Sequence, residues 1–458
     1  MNRVAKRSTI ALLLALVLVV GMILFSGEYL LKADDWAVFP GSPHVYTGSN
    51  IGCGVITDRE GVLLLDATGK RVYADDLELR LATLHWLGDR SGYISAPAVT
   101  YYSQDMAGYD LVNGLYSYSG TGGEATMTLS AELQTLALEA LDGRKGTVGV
   151  YNYETGEILC AVSSPSYDPD NVPDIQGDTS GKYDGVYLNR FTQVTYVPGS
   201  IFKVITAAAA LEEDPDNANL RFTCSAAYNI QGDNVTCDRA HGEMDMSEAL
   251  ARSCNCWFAQ LVEHLGGDTL KDYVDEFGVT QSQSFDGITT AEGHYDISDA
   301  VRYEIAWSGI GQYTDLVNPC RFMTLMGAIA GGGEAAKPYV VNRVSSGMAV
   351  GYRAGKTSTG RLFSRETAKT LQKMMRGNVE MIYGTGNFPK GLTVCAKSGT
   401  AQLDGELPNA TFAGFVTDDE YPLAFVVMVE NAGGGSDVCV PIISRVLEGC
   451  MEVLDNES

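Results

Sequence analysis

The stretch "YVPGSIFKVITAAAALEE", residues Tyr196–Glu213, combines a turn, a hydroxyl group and a lone cation. Pro198 and Gly199 are a turn signal, and the alanine-rich apolar residues behind them predict a helix. Ser200 and Lys203 are three residues apart, so they should share one helical face. A lysine in an apolar helix loses hydration, which favours its neutral form and lets it deprotonate a hydroxyl group. The structural alternative is that Ser200 caps the helix while Lys203 extends its ammonium group to water.

The composition sets the general class of the protein. The chain has 458 residues, which suggests two or three domains, and 45% of them are hydrophobic, which is enough for a sizeable core. The net charge of -25 argues against a nucleic-acid partner, because such a partner requires a basic face. We therefore expect an acidic, well-solvated surface.

A charged and then apolar N-terminus predicts membrane attachment. Arg3, Lys6 and Arg7 precede the uncharged run Ile10–Phe25, which is close to the minimum length of a membrane span. A cleaved signal peptide is the alternative, but no clear small-residue cleavage site follows. We predict an uncleaved signal anchor, with its basic end in the cytoplasm. The chain is then a single-pass cell-membrane protein whose remaining residues lie outside.

Ten cysteines follow the apolar run. Disulfides are permitted outside the membrane, and Cys224 with Cys237 is the best local pair, whereas Cys254 and Cys256 are poorly placed to pair with each other. A zinc site is the alternative, since His241 follows Cys237 by four residues, but this set lacks a fourth ligand. Buried free thiols are the third possibility. We predict no metal and no cofactor.

The segment after the anchor is rich in Gly, Ser and Tyr, and it shows little helical periodicity over residues 35–123. Within it, Gly54–Asp66 predicts a β-hairpin, and residues 114–126 resemble a linker. A helix should follow, capped by Ser130 and ended by Gly143.

The rest of the chain predicts an α+β fold. Residues 146–164 are typical of a β-hairpin, and about 220 residues of mostly helical pattern follow. Three strand-like runs and a final helix then occupy residues 391–402, 410–419, 421–431 and 440–454. The simplest architecture joins the hairpin and the three runs in one five-stranded antiparallel sheet, with helices on its faces and a helical subdomain between its two halves.

Ser253 and Asn255 form a second candidate element, two residues apart between two helical patterns. Both side chains could point into one cleft, where the serine would relay a proton and the asparagine would hold an amide. The alternative is an ordinary helix junction, because serine and asparagine cap helices well.

A third element is "KSGT", in which Lys397, Ser398, Gly399 and Thr400 end a strand pattern. Gly399 would let a ligand lie against the strand, while the lysine and the hydroxyl groups would bind a carboxylate. The alternative is a strand end with a surface lysine. Lys356, in "GKTSTG", is a weaker candidate because no apolar strand run precedes it.

The order "SIFK", "SCN", "KSGT" resembles the signature of penicillin-binding proteins and serine β-lactamases. Four longer segments are similar to the transpeptidase domain of class B penicillin-binding proteins: "GEILCAVSSPSYDPD", "RFTQVTYVPGSIFKVITAAAALE", "HGEMDMSEALARSCNCWFAQL" and "YGTGNFPKGLTVCAKSGTAQ". The resemblance covers residues 124–455. The opening "CGVITDREG" departs from the family's pattern, because Cys53 replaces an arginine.

The resemblance implies a peptidoglycan D,D-transpeptidase. Ser200 would be the acylated nucleophile, Lys203 its base, and Ser253 a proton relay. The donor would be the D-Ala-D-Ala end of a stem peptide, the acceptor an amine of a neighbouring stem peptide, and β-lactams would trap the serine.

The remaining motif residues would bind substrate. Asn255 would hold the donor peptide, Lys397, Ser398 and Thr400 would bind its terminal carboxylate, and Gly399 would let the ligand lie against the strand. The N–H groups of Ser200 and Thr400 would form the oxyanion hole.

The resemblance also implies three segments. Residues 1–34 would be a cytoplasmic stub and anchor helix, 35–123 a small β-rich pedestal, and 124–458 the transpeptidase domain. We expect no glycosyltransferase domain in front, which leaves a separate glycosyltransferase of the cell-wall machinery as a partner. The alternatives are a D,D-carboxypeptidase or β-lactamase of the same fold, or a non-catalytic β-lactam sensor or scaffold. The sequence does not separate roles in elongation, division or sporulation.

Overall fold

A computed structural model describes residues 2–39, 42, 45–47, 50–68, 70–107, 122–347, 349–402 and 405–457. Within this part of the chain the α-helices are α1 (Asn2–Ala37), α2 (Leu77–Leu87), α3 (Pro97–Thr100), α4 (Ser103–Ala107), α5 (Ala131–Leu141), α6 (Lys203–Glu213), α7 (Met246–Ala251), α8 (Asn255–Leu265), α9 (Gly267–Glu276), α10 (Arg302–Ser308), α11 (Pro319–Ala330), α12 (Arg365–Asn378) and α13 (Gly435–Glu457).

The strands of the same described residues are β1 (Tyr46–Thr47), β2 (Asn50–Ile51), β3 (Val55–Thr57), β4 (Leu63–Asp66), β5 (Val72–Tyr73), β6 (Glu124–Met127), β7 (Gly146–Asn152), β8 (Ile158–Ser164), β9 (Phe222–Cys224), β10 (Ala227–Ile230), β11 (Asp233–Thr236), β12 (Gly242–Met244), β13 (Ser284–Phe285), β14 (Ile288–Thr289), β15 (Val341–Ser346), β16 (Ala349–Arg353), β17 (Val394–Ala401), β18 (Asn409–Val416) and β19 (Leu423–Val429).

The N-terminal helix α1 is exposed along its apolar length, and Arg3–Ala33 is long and apolar enough to cross a membrane. Thirty-one residues at about 1.5 Å each exceed the roughly 30 Å hydrocarbon core of a bilayer. The apolar run predicted as a span is therefore a helix of sufficient length. Its orientation in a membrane stays a prediction.

The central sheet has five antiparallel strands in the order β17–β18–β19–β7–β8. Every residue of β18 and β19 is buried, which explains their nearly continuous apolar sequences. The predicted hairpin and the three strand-like runs are confirmed, and together they join the two ends of the transpeptidase-like region.

Helices cover both faces of this sheet. On one face, α5 and α13 pack over β18 and β8. Ser130 accepts a hydrogen bond from the N–H of Leu133 and caps α5, as predicted. Asp142 and Gly143, the two residues after this helix, both have a positive φ, so the helix ends at the predicted place. On the other face, α11 packs across β18 and β19. The edge strand β17 contacts the turn before α6 and helix α12, so a cleft can form along it.

A second sheet has the order β16–β15–β6–β3–β4–β5. The predicted hairpin Gly54–Asp66 is present as β3 and β4. The prediction of a linker over residues 114–126 is wrong for its last three residues, because they belong to strand β6, in which Ala125 and Met127 are buried. Residues 114–121 lie outside the described residues. Strand β6 pairs with β3 and β15, so this sheet combines strands from both sides of position 123/124. The three-segment division stays a prediction.

Helix α2 was not predicted, and the expectation of little helical structure between residues 35 and 123 is wrong there. Asp76 caps this helix through the N–H of Leu79. Seven of its eleven residues are buried, including the polar Thr83 and His85. A helix buried on most sides shows no regular alternation of apolar and polar residues, so its period was hidden.

The helical region between β8 and β17 also contains short β-ribbons. Strand β9 pairs with β12, and β10 pairs with β11. These ribbons pack against α8, which begins directly after Ser253 and Cys254. They therefore support one wall of the cleft beside β17.

Candidate active site

Ser200 lies in a 3-10 turn, Gly199–Phe202, that leads directly into α6. Gly199 has φ +57, and a Cβ atom there would lie 3.1 Å from the carbonyl group of Thr400. A side chain at 199 would strain the turn and crowd the strand. The glycine therefore lets the turn carrying Ser200 approach β17 closely.

Lys203 is fully buried, and its amine meets two of the three predicted motifs. Its Nζ atom lies 3.1 Å from Ser200 Oγ, 2.7 Å from the carbonyl oxygen of Ser253 and 2.6 Å from Asn255 Oδ1. A neutral amine has two N–H donors and one lone pair. The two carbonyl groups can accept both donors, which leaves the lone pair for the hydroxyl hydrogen of Ser200. Burial lowers the pKa of Lys203 to about 8.

The turn between α7 and α8 holds the second motif. Ser253 has a left-handed backbone, φ 53, and Cys254 caps α8 by accepting from the N–H of Trp257. The Asn255 amide donates to the carbonyl oxygen of Thr236 at 2.9 Å, which leaves its oxygen facing Lys203. The turn thus presents Ser253 and Asn255 to the same side, as the spacing predicts.

Lys397 is the second buried amine of the site. Its Nζ atom donates to Ser253 Oγ at 3.1 Å and to the carbonyl oxygen of Ser398 at 2.6 Å. Ser253 Oγ also lies 3.3 Å from the amine of Lys203, so one hydroxyl group lies between the two lysines. Burial, with the nearby charge of Lys203, lowers the pKa of Lys397 well below its ordinary value. Lys356, the weaker candidate, is exposed.

Gly399 and Thr400 complete the predicted strand motif. A Cβ atom at Gly399 would lie 2.8 Å from the carbonyl oxygen of Pro198 and 2.3 Å from Thr411 Oγ1, so only glycine fits between the strand and the serine turn. Thr400 is exposed to the cleft, and its hydroxyl oxygen accepts from the N–H of Gly435 at 3.1 Å.

Tyr383 is a site residue that the sequence reasoning missed. Its hydroxyl group donates to Ser398 Oγ at 2.9 Å and accepts from the N–H of Ser398 at 2.8 Å. Burial raises the pKa of this tyrosine, so the hydroxyl group keeps its proton. Tyr383 and Ser398 are 15 residues apart, and no periodic pattern in the sequence indicates that two residues at this separation are in contact.

The three motifs surround a cleft of about 580 Å³. Six of the eight predicted site residues line this cleft, and the other two, the buried lysines, lie behind its wall. The other lining residues are Thr236, Cys237, Asp238, Arg252, Trp307, Ile310, Gln312 and Gln402. The arrangement can deprotonate a serine, carry a proton across Ser253 and receive an anionic ligand along β17.

The predicted Cys224–Cys237 disulfide is not formed in the structure, where all ten cysteines are free thiols. Instead, Cys237 Sγ lies 3.6 Å from Cys254 Sγ, well beyond the roughly 2.05 Å of a disulfide bond. The ribbon strands bring Cys224 and Cys237 to the start of α8, so these two thiols meet Cys254 as well as each other.

The family model for the penicillin binding protein transpeptidase domain matches residues 146–448, about two thirds of the chain. The chain belongs to the penicillin-binding protein transpeptidase family. Among its relatives, stage V sporulation protein D of Bacillus subtilis is 27% identical over 422 residues, 87% of this penicillin-binding protein and 61% of the relative. Peptidoglycan D,D-transpeptidase PbpA of Mycobacterium tuberculosis is 27% identical over 367 residues, 72% and 73% of the two chains. The protein described by this structure is therefore a class B penicillin-binding protein, as the sequence predicts.

Solved structures agree with this assignment. The D,D-transpeptidase domain of a peptidoglycan glycosyltransferase from Eggerthella lenta superposes with a TM-score of 0.76 at 24% identity, over 89% of this penicillin-binding protein and 99% of that chain, which shows the shared fold. The ceftriaxone acyl-enzyme complex of penicillin-binding protein A from M. tuberculosis gives a TM-score of 0.75 at 25% identity, over 88% and 98%.

Proposed function

We propose that this penicillin-binding protein is a peptidoglycan D,D-transpeptidase that cross-links stem peptides through an acyl-enzyme on Ser200. The observation that carries the proposal is the 3.1 Å contact between Ser200 Oγ and the buried amine of Lys203. Relatives named peptidoglycan D,D-transpeptidases and a relative solved as a β-lactam acyl-enzyme support it.

In the proposed first step, neutral Lys203 takes the hydroxyl proton of Ser200, and Oγ attacks the carbonyl carbon between the two D-alanines. The N–H groups of Ser200 and Thr400 would stabilise the negative charge on the carbonyl oxygen. The C–N bond then breaks, and the proton passes from Lys203 through Ser253 to the departing amine of D-alanine. Ser253 suits this relay because it contacts both Lys203 and Lys397.

In the second step, the amine of a neighbouring stem peptide attacks the ester carbonyl and loses a proton to the same relay. Ser200 recovers its hydrogen, and a new amide bond joins the two stems. Asn255 would hold the donor peptide, while Lys397, Ser398 and Thr400 would bind its terminal carboxylate on the open edge of β17. Gly399 would let this strand lie close to the turn that carries Ser200.

We place the catalytic region outside the cell membrane, held by α1 as a single anchor, with residues 35–123 as a pedestal and 124–458 as the transpeptidase domain. The basic residues before the apolar run support this orientation. A glycosyltransferase partner is supported by similarity to a structure described as a peptidoglycan synthase complex that coordinates polymerization and crosslinking, with a TM-score of 0.61 at 26% identity.

The test is covalent labelling of the full-length protein in detergent with fluorescent penicillin. We expect one adduct per chain, mapped by mass spectrometry to the peptide containing Ser200, and no adduct for Ser200→Ala. Ser298→Ala, which alters an exposed serine away from the cleft, should label like the wild type.

Two outcomes would contradict the proposal. Labelling of Ser200→Ala at the wild-type rate would show that another residue is the nucleophile. Rapid, repeated hydrolysis of a chromogenic cephalosporin would instead assign a β-lactamase activity to the same fold, because a β-lactamase must activate water to hydrolyse its acyl-enzyme.

A further inference from the structure

Three cysteines and one histidine meet at the wall of the cleft. The ligand atoms of Cys224, Cys237, His241 and Cys254 all lie within 4.8 Å of one another. They come from the end of β9, the loop between β11 and β12, and the turn before α8. Residues far apart in sequence therefore present four potential metal ligands to one point.

We propose that these four residues bind one zinc ion as a Cys3His site. With Zn–S bonds of about 2.3 Å and a Zn–N bond of about 2.0 Å, tetrahedral geometry places two sulfurs ~3.8 Å apart and a sulfur and a nitrogen ~3.5 Å apart. The observed separations are 3.6 Å between Cys237 Sγ and Cys254 Sγ, and 3.5 Å between Cys224 Sγ and His241 Nδ1. Each of these two distances is close to the length expected for one edge of a zinc tetrahedron.

The orientation of the histidine fits a metal ligand. Its Nδ1 atom faces the thiols, and its Nε2 atom lies 3.5 Å from Asp238 Oδ1. A carboxylate on the far ring nitrogen fixes the tautomer that leaves the near nitrogen free to bind metal. The imidazole is almost fully buried, with 2% of its side chain exposed, whereas Asp238 reaches solvent.

Two of the three sulfurs lie next to backbone N–H donors, which favour thiolates. Cys237 Sγ accepts backbone N–H groups from Asn255 at 3.1 Å and Cys256 at 3.3 Å, and Cys254 Sγ accepts from Trp257 at 3.4 Å. These donors belong to the first turn of α8, whose N-terminal end favours negative charge. On binding, the three thiols would release three protons to solvent, and three thiolates with neutral His241 would surround Zn²⁺ with a net charge of -1.

The proposed ion would fix the turn that carries the second motif, a consequence that rests on the proposed function. Cys254 lies between Ser253 and Asn255, and Ser253 has the left-handed φ of 53 that a non-glycine residue seldom adopts. Both neighbours contact the amine of Lys203. Zinc would therefore act as a positioning element for the cleft, because it joins this turn to the ribbons.

The first experiment measures metal directly and does not depend on catalysis. The full-length protein, purified in detergent under reducing, oxygen-free conditions, is analysed for zinc by mass spectrometry. We expect about one zinc per chain, and at least a tenfold loss of zinc in Cys224→Ser and His241→Gln. Cys439→Ser, which alters a buried thiol in α13 outside the cluster, should retain it.

Cobalt replacement of the wild-type metal avoids any dependence on variant folding. Co²⁺ added to the demetallated wild type should give the absorption bands of tetrahedral thiolate coordination. Wild-type protein without bound zinc, or a cobalt spectrum without thiolate bands, would overturn the site. A Cys237–Cys254 disulfide found in most chains after thiols are blocked during cell lysis would also overturn it.

A second measurement tests the positioning role. Chelation should slow the acylation of Ser200 by penicillin about tenfold or more, a loss like that seen when groups that orient a metal site are removed, and added zinc should restore the rate. An unchanged rate in zinc-free protein would overturn this role. Failure of the proposed function would differ, because Ser200 would then not acylate in zinc-loaded protein either.

Discussion

At the scale of single residues, the proposed reaction depends on the charge of one amine, that of Lys203. Lys203 has two carbonyl acceptors, which suit either protonation state, while full burial disfavours the ammonium form. With its pKa lowered to about 8, a useful fraction of the amine is neutral at physiological pH. The same group remains basic enough to take a proton from a serine hydroxyl group.

This pKa predicts how acylation depends on pH. Because only neutral Lys203 can accept the proton of Ser200, the acylation rate should rise with pH, with a midpoint near the pKa of about 8. At pH 6, about one hundredth of the amine would be neutral, so the rate should be roughly 100-fold below its alkaline plateau. Stopped-flow measurement with a fluorescent penicillin between pH 6 and pH 9.5 gives this profile.

The control for the pH profile is Lys356→Ala, which alters an exposed lysine and should leave the midpoint unchanged. Thermal melting over the same pH range checks that the protein stays folded. A rate that is flat from pH 6 to pH 9.5 would contradict the role of Lys203 as the base.

Local spacing explains which contacts were predictable at this scale. Ser200 and Lys203 lie on one helical turn, and Ser253 and Asn255 share one short turn, so sequence distance sets their geometry. Tyr383 and the sulfur cluster depend on contacts between separate elements. The sequence indicated Cys224, Cys237 and His241 as an incomplete metal set, and only the folded chain adds Cys254.

At the scale of elements, the turn that follows α12 holds the edge strand β17 through Tyr383. Residues Val379–Tyr383 form a single π-helical turn after α12, a form that often marks functional positions. This turn directs the Tyr383 hydroxyl group at Ser398, where it satisfies the backbone N–H on the open edge of the strand. Ser398 is thereby held in place, and its own carbonyl oxygen accepts a hydrogen bond from Lys397.

Tyr383→Phe should weaken ligand binding on β17 without altering the base. The change leaves the half-buried N–H of Ser398 without its acceptor, and losing that bond destabilises the local structure of the strand by about 1 kcal/mol. We expect the dissociation constant for the first, noncovalent penicillin complex to rise about tenfold, while the pH midpoint of acylation stays the same. Stopped-flow kinetics separate these two quantities.

The control is Tyr93→Phe, which alters an exposed tyrosine far from the strand motif in sequence. A merely destabilising effect of Tyr383→Phe would lower the melting temperature while leaving the noncovalent binding constant intact, and that result would contradict the positioning role.

The predictability of elements followed their burial pattern. Strands β18 and β19 are buried throughout and have unbroken apolar sequences, so they were recognisable. Strand β6 is short and follows a glycine-rich run, and its pairing with β3 and β15 is entirely long-range. Pairing between distant segments decides such strands, and local propensity is a weak guide to them.

At the scale of the whole molecule, Asp286 joins segments that are far apart in the chain. It lies at the turn between β13 and β14, and its carboxylate accepts from Tyr102 Oη at 2.6 Å and from the N–H groups of Val340 at 2.7 Å and Val341 at 3.0 Å. Tyr102 belongs to the predicted pedestal and the valines lead into β15. One buried carboxylate therefore ties the predicted pedestal to the transpeptidase-like region, and burial raises its pKa.

Asp286→Ala should loosen this junction, because it leaves three buried donors without an acceptor at about 1–3 kcal/mol each and places alanine at a φ of 46. We expect the melting temperature of the full-length protein in detergent to fall by several degrees. Asp286→Asn should be milder, since its amide can turn its oxygen to the two valine N–H groups and donate from nitrogen to Tyr102. Tyr102→Phe should remove the tyrosine's bond to Asp286 while the two valine N–H groups keep their acceptor. Asp299→Ala, at an exposed aspartate, is the control. Equal melting temperatures for Asp286→Ala and Asp299→Ala would show that the carboxylate does not hold the two regions together.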